Sequence, residues 1–388
     1  MASTALEEQE QLAVAKTSQD FAKMASFVAS SKIRIEALKV VEELTRDGAN
    51  ASEFLSAELC EGLVAILQQP GTDAATSVIW VCDVVANLAV DEACREKFSQ
   101  LGLCQHLVPA ISACNKREEQ LAESGLFAIS KLGFNHDLNI AQLGEHGACE
   151  FLVQQASKFG KDNAAVAGNA CSAIICLARD GTNRKLLLEL GAASQVVMPA
   201  IELYGTESDQ IAYLGFSAMA NLAVGLDGEV SVLPNCQVLV NCLKATTNLD
   251  VIEKACIALA NIGLNDVNRA QLGATLCQVA VDQWKQLGEM SERLAAAELM
   301  LVANLAFNNP PNQTRLGKAG AIFQVVAELK DFGVDSEVVA KNGCLAVGNL
   351  AARNGDNLLY MAGMNGLCDV LVDCLRVFGP TSASIANK

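Results

Sequence analysis

Val84-Val85-Ala86-Asn87-Leu88-Ala89 is the clearest copy of a phrase that returns through most of the chain. It recurs as Ala220-Asn221-Leu222-Ala223, Ala260-Asn261-Ile262-Gly263, Ala303-Asn304-Leu305-Ala306 and Gly348-Asn349-Leu350-Ala351. Looser copies lie at Ser130-Lys131-Leu132-Gly133 and Ile175-Cys176-Leu177-Ala178, with a remnant at Glu43-Leu44. The Leu or Ile of each copy falls at 44, 88, 132, 177, 222, 262, 305 and 350, giving steps of 44, 44, 45, 45, 40, 43 and 45 residues. A fixed period in the forties marks stacked helical repeats, each too small to bury its apolar face alone.

Around the phrase, each repeat follows a three-part plan. A short first helix opens near Asn50, Asn139, Asn183, Asn268, Asn312 or Asn357, with Cys94 once in that slot. Asn is a good N-cap, so these residues are expected to cap that helix. Leu143-Gly144, Leu190-Gly191, Leu272-Gly273, Leu316-Gly317 and Ala362-Gly363 are expected to close it, with Gly where a left-handed turn is cheapest. A second helix follows, such as Ala192 to Leu203 or Ala321 to Leu329, and often ends in an aromatic-Gly pair (Phe159-Gly160, Tyr204-Gly205, Phe332-Gly333, Phe378-Gly379). The third and longest helix carries the Asn-Leu-Ala phrase.

This unit, with Asn-Leu-Ala, then Asn183-Arg184 or Asn268-Arg269, then a Leu-Gly-x-x-Gly-Ala corner, resembles the armadillo repeat family over about residues 33–379. The resemblance implies an all-α, right-handed armadillo superhelix of about seven full repeats with partial repeats at both ends. The expected organisation is an N-terminal polar segment and capping helix (1–31), the solenoid (32–379) and a short flexible tail (380–388). The cap is predicted as one helix over about Gln11 to Ala29, with Phe21, Met24, Ala25 and Val28 at helical spacing. The copy around Val224 to Asp250 departs from the plan: it carries Gly225, Gly228 and Pro234, and a distorted first helix is expected there.

Composition narrows the function. Net charge is −16 and no stretch concentrates basic residues, so a footprint for nucleic acid or anionic lipid is missing. No run of about eighteen apolar residues is present, so no membrane insertion is expected. The N-terminus lacks the plan of a signal peptide. Fifteen cysteines invite a disulfide reading until they are placed on the repeat. Five residues before each anchor lie Cys82, Leu126, Cys171, Phe216, Cys256, Leu299 and Cys344, all apolar or thiol. These thiols read as core packing in a reducing, cytoplasmic compartment. No Cys-x-x-Cys pair occurs and the three His share no metal-ligand spacing with any Cys, so neither a metal nor a cofactor is expected.

In armadillo proteins the third helices line a groove, and their Asn can hold the backbone of an extended peptide. The resemblance therefore picks out Asn87, Asn221, Asn261, Asn304 and Asn349, because an amide side chain both donates and accepts. Neighbours on the same helix face are Trp80, Asp83, Ser217, Lys254 and Asn342. The same Asn residues have a second, local use: satisfying backbone near a helix end. Lys131 and Cys176 interrupt the ladder, and only Phe127 is aromatic four residues before an anchor, which disfavours a nuclear-import adaptor. The expected function is a non-enzymatic scaffold binding an extended or helical segment of a protein partner, with charge favouring a basic one. The alternative is a structural subunit docked through its ends and convex surface. At the C-terminal end, Leu371, Cys374 and Phe378 are candidate contacts for a second copy or a neighbouring subunit.

Overall fold

The computed structural model describes residues 2–29, 33–71, 73–114, 116–224, 236–287 and 291–382. All regular structure among them is helical. The chain comprises two compact units, residues 1–200 and 201–388.

In the first unit the third helices Arg34–Thr45, Ala74–Leu88, Glu118–Leu132 and Ala164–Leu177 stack in sequence. The N-terminal cap is two helices, Ala2–Ser18 and Phe21–Ala29, rather than one. Gln19 turns left-handed at φ 55° and Asp20 accepts the Lys23 N–H at 3.0 Å, so a capping carboxylate restarts the helix where continuity was expected. Met24 and Val28 are fully buried, and Phe21 meets Phe54 edge-on at 4.9 Å, which seats the second helix on the first repeat.

In the second unit the stack is Asp209–Leu222, Leu249–Ile262, Glu292–Ala306 and Glu337–Ala351. Gly225, Gly228 and Pro234, where a distorted first helix is expected, lie outside the described residues. Of the tail, Ala383 to Lys388 also lie outside them.

Two details of the repeat differ from the sequence expectation. The caps of the first helices stand three residues earlier, at Asp91, His136, Asp180, Asn265, Asn309 and Asn354, whose side chains accept the N–H of residues 94, 139, 183, 268, 312 and 357. Asn139, Asn183, Asn268, Asn312 and Asn357 are thus third helical residues, and they are buried. Asn50, by contrast, does stand at the N-cap of Ala51–Ser56, half-buried and left-handed at φ 54°, without a side-chain cap hydrogen bond. Asn312 Nδ2 donates to two carbonyls of the preceding repeat, Leu305 O at the end of its third helix at 3.0 Å and Arg269 O in its first helix at 3.1 Å. Asn357 does the same to Leu350 O at 2.8 Å and Gln313 O at 3.1 Å, as does Asn139 to Leu132 O and Arg95 O. A buried amide so placed satisfies carbonyls that the helix ends would leave orphaned, and it ties one repeat to the next.

The second difference follows from the first. Gly144, Gly273 and Gly317 lie inside helices and close none of them. A Cβ at these positions would fall 1.8, 1.9 and 2.0 Å from the buried amide of the following repeat. The left-handed corner belongs instead to Gly147 and Gly320, and to Gly191, where the expectation stands. The third repeat of the second unit lacks that corner Gly, since Gly273-Ala274-Thr275 runs straight into Leu276. Its first and second helices are therefore one continuous 21-residue helix, Asp266–Gln286.

Candidate partner-binding faces

Each third helix turns one apolar side to the core and leaves a half-buried stripe. In the second unit the stripe carries Asn261, Asn304 and Asn349, all half-buried. Their Nδ2 atoms donate to the carbonyls of Ala220, Ala260 and Ala303 on the preceding third helix, at 3.1, 2.9 and 2.8 Å. Asn342 makes the equivalent bond two turns earlier, to Ala296 O at 2.8 Å. One amide hydrogen is therefore committed to the stack, while Oδ1 of Asn261, Asn304 and Asn349 receives no donor among the described residues. This places the second unit's ladder in a fixed orientation with its acceptor edge open. Asn221 is half-buried on Asp209–Leu222.

Flanking positions are already engaged. Lys254 Nζ donates to Glu253 at 3.0 Å and lies 5.8 Å from the Tyr213 ring centre, and Glu253 also takes Arg293 Nη2 at 2.9 Å. Ser217 Oγ is out of reach of solvent, with no partner among the described residues.

In the first unit Asn87 is 8% exposed and donates to Glu42 O at 3.3 Å. Trp80 has Lys39 Nζ 5.8 Å from its ring centre. Asp83 is half-buried. Its carboxyl is raised to about 6, chiefly by burial and further by Glu42 and Glu123, against the opposing Ser124 hydroxyl. Glu42, Asp83 and Glu123 come from three successive third helices, so the stack builds an acidic column that no single stretch of sequence displays. Asn169, missed by a reading anchored on Asn, occupies the slot seven residues before Cys176 and donates to Glu123 O at 3.1 Å. Cys176 itself is 6% exposed, and its thiol replaces the anchor amide by donating to Ser130 O at 3.2 Å. Burial pushes that thiol up to about 11, although Arg179 and Lys131 pull the other way. Its chemistry is that of packing and not of a nucleophile.

At the last helix, Leu367–Phe378, one of the three proposed end contacts is misplaced. Cys374 is fully buried, with its Sγ donating to Gly333 O at 3.3 Å. With Leu367 and Val370 it forms the inward face, because the i, i+3, i+7 spacing turns all three toward the preceding helices. Leu371 and Phe378 are half-buried, and Val372, Leu375 and Val377 are the exposed apolar side chains.

Among the described residues, no group of three or more His, Cys, Asp or Glu is arranged to hold a metal ion, and no single helix is long and apolar enough to cross a membrane. The chain is similar to an engineered protein of solved structure at 18% identity and TM-score 0.74, over 97% of this chain and 88% of that one. It is also similar, at 15% identity and TM-score 0.75, to a chain from work on a phosphorylation switch controlling the interaction between cadherin and beta-catenin, over 96% of this chain and 73% of that one. No family model and no curated protein matches the sequence. The fold is thus a stack of helical repeats.

Proposed function

We propose that the chain is a non-enzymatic protein-binding scaffold of armadillo type that holds an extended or helical partner segment against its third helices. The supporting observation is the oriented amide row. Asn261, Asn304 and Asn349 share one donor geometry in three successive layers and leave three like acceptors open to a peptide N–H. Helix layers about 8–10 Å apart would meet an extended chain every two to three residues, at about 3.3–3.6 Å per residue. In the first unit the Glu42, Asp83 and Glu123 column favours a cationic side chain. The similarity to a chain from a cadherin–beta-catenin study agrees with a protein-binding role without naming a partner for this one.

The test is affinity capture with crosslinking and mass spectrometry, comparing wild type with an Asn261→Ala, Asn304→Ala variant. Each lost hydrogen bond is worth about 0.5–1.5 kcal/mol, so the pair should weaken a groove-bound partner about five-fold to a hundred-fold. A lowered melting temperature with unchanged affinity would show that these amides serve the stack alone. The rival reading, a subunit docked through its outer face, draws on the exposure of Phe323 (57%), Tyr360 (52%) and Leu359 (76%). Crosslinks confined to those residues would select it.

A further inference from the structure

Beside the third-helix face lies a second surface, built the same way in each unit. Three residues after the anchor position, where the third helix has just ended, stand Val90 and Phe134 in the first unit and Leu264 and Phe307 in the second. They are 50, 56, 53 and 48% exposed. A buried arginine couples each pair. Arg95 donates Nη1 to Ala89 O and Val90 O at 2.7 and 2.9 Å, and its guanidinium carbon lies 5.9 Å from the centre of the Phe134 ring. Arg269 repeats this with Gly263 O at 2.9 Å, Leu264 O at 3.4 Å and the Phe307 ring at 5.5 Å. One guanidinium thus holds the backbone carbonyl of Val90 or Leu264 in one layer and lies by the Phe134 or Phe307 ring of the next, and all four side chains are about half exposed. Leu138 (55%) and Val267 (48%), in the first turn of the next helix, extend each ridge.

The charges around the first-unit ridge are acidic. Glu92 has no ion-pair partner among the described residues. Glu96 accepts from Gln100 Nε2 at 2.9 Å and meets His136 Nε2 at 3.2 Å, with no Lys or Arg paired to it among the described residues, and Asp137 is 87% exposed and pairs with Arg179. A chain of net charge −16 repels a second copy of itself. We infer that the Val90, Phe134 and Leu138 ridge docks the apolar stripe of a basic amphipathic helix from another protein. Layers about 8–10 Å apart correspond to about five to seven helical residues at 1.5 Å each, so side chains up to a heptad apart reach both layers, and flanking Lys or Arg meets Glu92 and Glu96. In the second unit Leu264 and Phe307 repeat the Val90 and Phe134 positions, with the third apolar residue, Val267, on the Leu264 layer instead and Asp266 paired with Arg269.

The probe is a labelled helix-forming peptide of Leu and Lys in heptad order, titrated against the full chain by fluorescence anisotropy. Controls are the same peptide with Glu for Lys and an alternating Leu-Lys peptide of strand pattern. The Leu-Lys helix should bind, the Glu peptide should not, and Val90→Ser with Leu138→Ser should weaken binding about ten-fold or more, since apolar area is what is removed. Leu138→Glu alone, at an exposed first-turn position, repeats the test without touching the arginine. Asp83→Asn should leave affinity within about two-fold. Equal binding of the Glu peptide, preference for the strand-pattern peptide, or indifference to both ridge variants would each overturn the inference. Loss of binding in Asp83→Asn alone would also overturn it, while leaving the third-helix scaffold reading intact.

Discussion

Glu298 sits on the third helix Glu292–Ala306 with 4% of its surface exposed, and its Oε2 has no partner among the described residues. Burial first, then the nearby Glu328, raises its carboxyl from 4.5 to about 9. Glu328 is itself buried and accepts the Trp284 indole N–H at 3.0 Å. The folded state therefore holds the Glu298 proton long after the unfolded chain has released it. Its contribution to stability is fully present below about pH 4.5 and is lost progressively as pH rises toward 9, reaching about 3 kcal/mol near pH 7. Glu298→Gln keeps the shape and removes the proton. Denaturant melts should show the variant level with wild type near pH 4.5 and more stable at pH 7 to 8. A difference independent of pH would mean the carboxyl is not held protonated.

At the scale of the element, glycine separates into two kinds that one-letter spacing cannot tell apart. Gly317 lies under the Asn357 amide, so Gly317→Ala forces the inter-repeat tie apart and should cost about 1–3 kcal/mol or more, as overpacking does. Gly348, in the last turn of Glu337–Ala351, would place its Cβ in open space, so Gly348→Ala should stabilise by up to about 0.5–1 kcal/mol through helix propensity. Opposite signs in thermal melts check the pair. The aromatic-Gly stops follow a third logic. Gly160, Gly333 and Gly379 have ordinary negative φ, but a Cβ would approach the carbonyl four residues earlier to 2.6, 2.3 and 2.3 Å.

For the molecule as a whole, the thiols give the most direct check. None of the fifteen cysteines, all among the described residues, is in a disulfide; twelve are buried, Cys114 and Cys344 are half-buried, and Cys368 is exposed. Burial pushes Cys104, Cys149, Cys171 and Cys277 up to about 12, so they are neither accessible nor ionised at neutral pH. Iodoacetamide labelling read by mass spectrometry should modify Cys368 first, then Cys114 and Cys344, with the rest protected until the chain unfolds. Fast native labelling of Cys82 or Cys256 would contradict the packing. Far-ultraviolet dichroism should show helix far above the soluble-protein average of about a third, and no appreciable strand.

The repeat period, the helical class and the inward Cys slot at 82, 171 and 256 were legible because they are one-dimensional. Burial on a helix depends on spacing along the chain, and spacing is what a sequence displays. Cys344, in the same slot, is only half-buried, and Cys374 faces the core, although both were legible as apolar positions. What the sequence could not display is contact across about forty residues. The Asn of one repeat and the Gly of its neighbour form a single joint, Asn357 over Gly317, yet each alone resembles a cap or a turn signal. The acidic column of Glu42, Asp83 and Glu123 exists only because three helices stack, as does the bridge by which Arg95 holds the Val90 carbonyl and lies against the Phe134 ring. A helix end leaves polar groups that must find partners, and in a stacked repeat the nearest partners belong to the next layer. Packing between layers therefore decides which polar residues are spent on the fold and which remain open to a partner.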